Sequence, residues 1–132
     1  MAEIPIGRRL ERRVLVTSEL AIDFLGVEDA RVLATPHLVW QLEMTCRDCI
    51  KPLLDEGYDS VGTEVSIKHL AATPMGMPVT FRADVQHVDG NRVRFRVEAF
   101  DEKEKVSEGV HERYVVNIAR FASRVAAKAS GA

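Results

Sequence analysis

From residue 78 onward the chain alternates. Val79, Phe81, Ala83 and Val85 are separated by Thr80, Arg82, Asp84 and Gln86. A period of two is that of a strand with one face buried. Asp89-Gly90 offers hairpin chemistry. Beyond it Val93, Phe95, Val97 and Ala99 form one face, while Arg92, Arg94, Arg96 and Glu98 form the other. Further strands are predicted over 12–20, 60–72 and 106–118, with a turn rich in Asp, Glu and Lys at 101–105.

The period changes in "ATPHLVWQLEMTCRDCIKPLLDEG". Apolar residues at 38, 39, 42, 46, 49, 50, 53 and 54 recur at helical spacing and predict one long helix with a broad buried face. Thr35 suits its N-cap, Pro36 its first position and Gly57 its stop, while Pro52 tightens or kinks the last turn. The segment 21–34 is weakly patterned and reads as loop or short helix. The tail "ARFASRVAAKASGA" predicts a short helix that frays at its end. One long helix followed by an antiparallel meander gives an α+β fold, the helix lying on one sheet face. Pairing with a second copy is the usual way to cover the sheet edges left over.

At 132 residues the chain is long enough for one core, so residues 1–132 form a single domain. A formal charge of −2 gives no global reason to expect a nucleic-acid partner. No apolar run approaches the roughly 18 residues of a membrane span. Charges interrupt "MAEIPIGRRLERRV" before a signal-peptide core forms. The expectation is a cytoplasmic protein whose two cysteines stay thiols.

Two residues raise chemical questions. His69 sits where a strand gives way to the small-residue bend "AATPMGM". Glu43 lies in the helix among Trp40, Leu42, Met44 and Cys46, whereas Gln41, Arg47, Asp48 and Lys51 supply the polar face. A solvated helix carboxylate is the plain reading. A partly buried one is a stronger base and a candidate catalytic group.

"ATPHLVWQLEMTC", "VGTEVSIKHLAATPMGMPV" and "GVHERYVV" together resemble the fluoroacetyl-CoA thioesterase-like branch of the hotdog-fold thioesterases, over roughly 33–118. The matching elements are Thr followed eight residues later by Glu, Gly-Thr leading to His-x-Ala-Ala-Thr-Pro, and a late His-Glu-Arg. The resemblance implies a hotdog fold, in which one central helix is wrapped by an antiparallel sheet. It also implies a homodimer or dimer of dimers with sites at the dimer interface, and hydrolysis of a small acyl-CoA thioester without a cofactor. Thr35, Glu43 and His69 carry over as the catalytic group, and Gly62 and Arg113 as residues near the acyl group and pocket wall. Glu43 is then nucleophile or general base, His69 assists proton transfer, and the backbone N–H near Gly62 is an oxyanion donor. Thr35 stands roughly 12 Å from Glu43 along a straight helix. It therefore reaches the site from a folded-back start or another subunit, or serves only as a cap. The segment before it, "IDFLGVEDARVL", lacks the aromatic richness implied for the lid.

Other signals weigh less. "CRDC" at 46–49 has metal or redox spacing, but it has no second cysteine pair and lies mid-helix, so two inward thiols are the better reading and no metal is expected. Arg8, Arg9, Arg12 and Arg13, and the strand face of Arg92, Arg94 and Arg96, are solvated surface or docking points for coenzyme A phosphates. Competing functions are a non-catalytic acyl-CoA-binding or sensing module, which has no need of Glu43 and His69, and a hydratase, whose Asp/His motif is absent.

Overall fold

The computed structural model describes residues 3–131. Five antiparallel strands form one sheet: β1 (Arg9–Leu15), β2 (Tyr58–His69), β3 (Pro78–Asp89), β4 (Arg92–Phe100) and β5 (Lys105–Asn117). Their spatial order is β1-β3-β4-β5-β2. The second strand in sequence therefore crosses to the far edge, beside the last. Helix α1 (Thr35–Ile50) lies against one sheet face, and α2 (Ile118–Ala129) follows β5.

The alternation read from sequence sets the two faces. Val79, Phe81, Ala83 and Val85 of β3 and Val93, Phe95, Val97 and Ala99 of β4 are buried. They meet Leu38, Leu42, Cys46, Cys49 and Ile50 of α1 in one core. Cys46 and Cys49 point into this core, and burial pushes both thiols above their usual range. The described residues hold no cluster of three or more His, Cys, Asp or Glu side chains placed for a metal ion. None of their helices is long and apolar enough to cross a membrane.

The opposite face is a ladder of charges. Arg82 donates to Glu11 at 2.8 Å, Lys105 approaches Glu98 at 2.9 Å, and Arg92, Arg94 and Arg96 lie 3.8, 3.4 and 3.4 Å from Glu112, Glu64 and Glu98. The basic strand face seen in sequence is thus neutralised by its neighbours. The basic lead is mostly engaged as well. Arg8 donates to the Cys49 carbonyl at 2.5 Å, Arg9 to Asp84 at 2.6 Å, and Arg12 pairs with Asp48.

Boundaries moved where pairing or proline overrode pattern. β1 occupies 9–15 rather than 12–20, because its register on β3 ends where Leu15 meets Pro78. Residues 18–20 instead form a short 3-10 turn. The helix stops at Ile50 and a 3-10 turn covers Lys51–Leu53, as the missing Pro52 N–H demands. Thr35 is not the N-cap; Ala34 holds that position and no side chain caps it. The Thr35 hydroxyl is used elsewhere.

Gly109, midway along β5, is paired with Ile67 of β2. A Cβ built there would stand 2.1 Å from the Ser66 carbonyl oxygen and 2.7 Å from the Ile67 Cα. Both are backbone atoms and cannot swing aside. Gly109→Ala should therefore cost about 1–3 kcal/mol as overpacking, read as a lower urea midpoint. An unchanged midpoint would show that β2 yields without cost.

Candidate active site

Side chains alternate along a strand, so Gly62 and His69, seven residues apart, belong on opposite faces of a regular β2. They share one face. The pairing of β2 with β5 shifts between Gly62 and Glu64, leaving Thr63 as an extra residue. Gly62 then pairs with Arg113 and His69 with Ser107, six residues apart on β5 and both buried. The bulge turns His69 toward the helix side.

His69 meets Thr35 there, 2.8 Å from hydroxyl oxygen to Nδ1. Two segments distant in sequence are held together by the Leu33 N–H donating to the Thr73 carbonyl at 2.9 Å and by a bridge between Val32 and Pro74. The Leu70 N–H donates to the Val106 carbonyl at 2.7 Å, which fixes the end of β2. His69 Nε2 is closed off from solvent and has no hydrogen-bond partner among the described residues. Burial lowers the pKa of the ring, opposed by the backbone of Ala71. The ring lines an open pocket of about 380 Å³ with Thr35, Leu33, Leu70 and Phe24. Phe24 is 78% exposed at its rim, the one aromatic of a segment otherwise poor in them.

Glu43 stands two turns along α1, its side chain 28% exposed. Its carboxylate lies against Gly62, where a Cβ would come within 2.8 Å of Oε1. A side chain there would have to displace the carboxylate, so glycine leaves Glu43 its place. Behind it Arg113, 3% exposed, donates from Nε to Ser60 Oγ and from Nη2 to the Ser60 carbonyl, both at 2.7 Å. A guanidinium only donates, so its Nη1 contact of 3.1 Å makes His111 Nε2 the acceptor. Nδ1–H of His111 then donates to the Glu64 carbonyl at 2.8 Å. This fixes a neutral tautomer, with Nε2 4.0 Å from Glu43 Oε1. Burial lowers its pKa, reinforced by Arg113 and opposed by Glu64 and Glu43.

The five residues singled out from sequence thus fall into two groups. Glu43, Gly62 and Arg113 share one locus; Thr35 and His69 share another, roughly 12 Å along the helix. His111 and Ser60, which orient Arg113, were missed. The "HER" run did carry His111, two residues from Arg113 and so on the same strand face.

Residues 16–119 match the family described as fluoroacetyl-CoA-specific thioesterase. The fluoroacetyl-CoA thioesterase of Streptantibioticus cattleyicolor is 37% identical over 101 residues, 76% of this chain and 73% of that protein. The chain belongs to the fluoroacetyl-CoA-specific thioesterase family. The solved structure of the fluoroacetyl-CoA thioesterase FlK superposes with a TM-score of 0.86 at 31% identity, covering 96% of this chain and 98% of that one. A thioesterase-superfamily member from Thermus thermophilus gives 0.87 at 31% identity, covering all of both chains. The α+β wrap is therefore the hotdog fold, and the protein is a hotdog thioesterase.

Both site histidines are held neutral, with pKa values below the ordinary 6.5. As the pH falls, the unfolded chain binds more protons than the folded one. The stability they contribute is full above about pH 6.5 and is lost as the pH drops through the lowered values. Urea midpoints should decline below that pH, and His111→Asn should flatten the decline. A slope unchanged in His111→Asn would mean that this ring titrates alike in both states.

Proposed function

We propose that this thioesterase hydrolyses a small acyl-CoA to the free acid and coenzyme A, using Glu43 with the Thr35–His69 pair. The observation that carries this reading is the His69 ring. One nitrogen is anchored by Thr35 while the other is sequestered and unpartnered. Buried polar atoms are rarely left so unless a ligand completes them.

The chemistry needs little more. Coenzyme A leaves as a thiolate, so the demanding step is addition at the carbonyl. Glu43 attacks that carbon to give a mixed anhydride that water then opens, or it takes a proton from the attacking water. In either route the carboxylate must stand close to the substrate, which the absence of a side chain at Gly62 permits. In this reading the backbone N–H near Gly62 is the oxyanion donor. Arg113, held by Ser60 and His111, keeps a positive charge behind Glu43.

A thioester cannot touch Glu43 and His69 of one chain at once across roughly 12 Å of helix. A two-fold dimer removes the difficulty. β2 is a free edge of the sheet, and Gly62 through Ser66 are exposed along it. Val65, on the helix-side face, is 42% exposed, and Trp40 on the helix 56%. Antiparallel pairing of two β2 edges, centred between residues 65 and 66, sets Gly62 of one chain opposite the partner's His69. Each complete site then takes Glu43 from one protomer and Thr35 with His69 from the other.

Glu43→Gln keeps size and helix propensity but removes basicity and nucleophilicity. It should lower kcat by about 10² to 10⁴ while leaving folding intact, measured as thiol release from a panel of small acyl-CoA esters. Near wild-type turnover would remove Glu43 from the mechanism.

The composite site has its own test. Co-refolded Glu43→Gln and His69→Ala chains form mixed dimers with one intact site and one doubly disabled site. Activity well above either parent should return. No recovery from verified mixed dimers would place all three residues of a site in one chain.

A further inference from the structure

The arginines that sequence offered for coenzyme A phosphates are mostly spent on neighbouring carboxylates or backbone. Two others are not. Arg120 and Arg124, one turn apart on α2, make no ion pair among the described residues, and with Ser123 they line a cleft of about 590 Å³. Its other walls include Tyr114 near the end of β5, Tyr58 at the start of β2 and Asn91 in the β3–β4 turn. Tyr114 is 41% exposed. Asp55 is the sole acidic lining residue, so the cleft carries a surplus of positive charge.

Its position is fixed by backbone bonds rather than by the loose packing of α2. The Ile118 N–H donates to the Gly57 carbonyl at 2.9 Å, and the Asn117 side chain caps the helix by accepting from the Arg120 N–H at 3.0 Å. The Val115 N–H donates to the Asn91 carbonyl at 2.8 Å. Two guanidiniums at i and i+4 project from the same side of a helix and suit phosphate oxygens. Tyrosine faces and amide groups suit a purine, and the volume is that of a nucleotide-sized site. Four residues along β2 separate Tyr58 from Gly62, about 13 Å of strand. A pantetheine arm bridges that gap.

We propose that this cleft binds the phosphorylated adenosine end of coenzyme A, with Arg120 and Arg124 on its phosphates and Tyr114 beside the purine. The proposal rests on the acyl-CoA reading above and assigns a second, remote part of the same substrate. α2 then acts as a recognition element that sets KM and leaves the thioester chemistry to α1 and β2.

The test compares an acyl-CoA with the matching acyl-N-acetylcysteamine, which carries the same thioester without the nucleotide. Arg120→Ala/Arg124→Ala should raise KM for the acyl-CoA by about tenfold to a hundredfold, the loss of two charge-assisted contacts. The ratio of kcat/KM on the two substrates should fall by the same factor. Lys at both positions should restore part of it. Calorimetric titration of the wild-type protein should show tighter binding of coenzyme A than of dephospho-coenzyme A, a difference that vanishes in the double variant. An unchanged ratio, or equal binding of the two coenzymes by the wild type, overturns the assignment while thioesterase activity stands. If neither thioester is hydrolysed, the functional reading fails, and the titrations alone decide the cleft.

Discussion

One extra residue in an edge strand sets the geometry on which the site depends. Without the bulge at Thr63, the alternation that puts Gly62 under the helix would send His69 to the outer, charged face. With it, β2 presents a missing side chain at one point and an imidazole at another, both toward α1. The helix answers with Glu43 at the first and Thr35 at the second. A methyl group at position 62 would meet the Glu43 carboxylate at 2.8 Å, and the Thr35 hydroxyl is already committed to His69 at 2.8 Å.

The surroundings hold these pairs in place by different means. At the Glu43 end the support is electrostatic and buried. Arg113 is anchored on Ser60 and steadied by a neutral His111, so a cation stands behind the carboxylate. At the Thr35 end the support is backbone. The strand end, the bend after it and the segment entering the helix are tied by main-chain hydrogen bonds through Leu33, Leu70 and Thr73. The carboxylate and the imidazole thus stand about two helical turns apart within one chain.

Charge is distributed with a similar division. The outer sheet face carries many ionic side chains, yet they pair across strands. Exposed pairs of this kind contribute little to stability individually. Their effect is to leave that face solvated and without a strong field of one sign. Arg120 and Arg124, which make no ion pair among the described residues, lie instead at the end of the sheet, on α2.

The amino-acid sequence determined the periods: two along β3 and β4, helical along α1, with Pro52 in the 3-10 turn that ends the helix; Gly57, expected as the stop, lies seven residues past Ile50 and turns the chain into β2 instead. Those periods specified the α+β architecture, the buried faces and the inward cysteines, because burial acts on each residue's side of its own element. The motif residues Thr35, Glu43, His69, Gly62 and Arg113 were also legible, as residue types at set separations. Tertiary structure decided the rest. That β2 crosses to pair with β5 depends on contacts between residues about fifty positions apart, which no local pattern encodes. The bulge is invisible in sequence, since Gly62, Thr63 and Glu64 read as ordinary alternation until β5 fixes the register. Only that register determined that Thr35 serves His69 rather than the helix end, and that His111 and Ser60 orient Arg113. Hydrogen bonds are directional, so which partner a polar side chain takes is settled by where folding brings it.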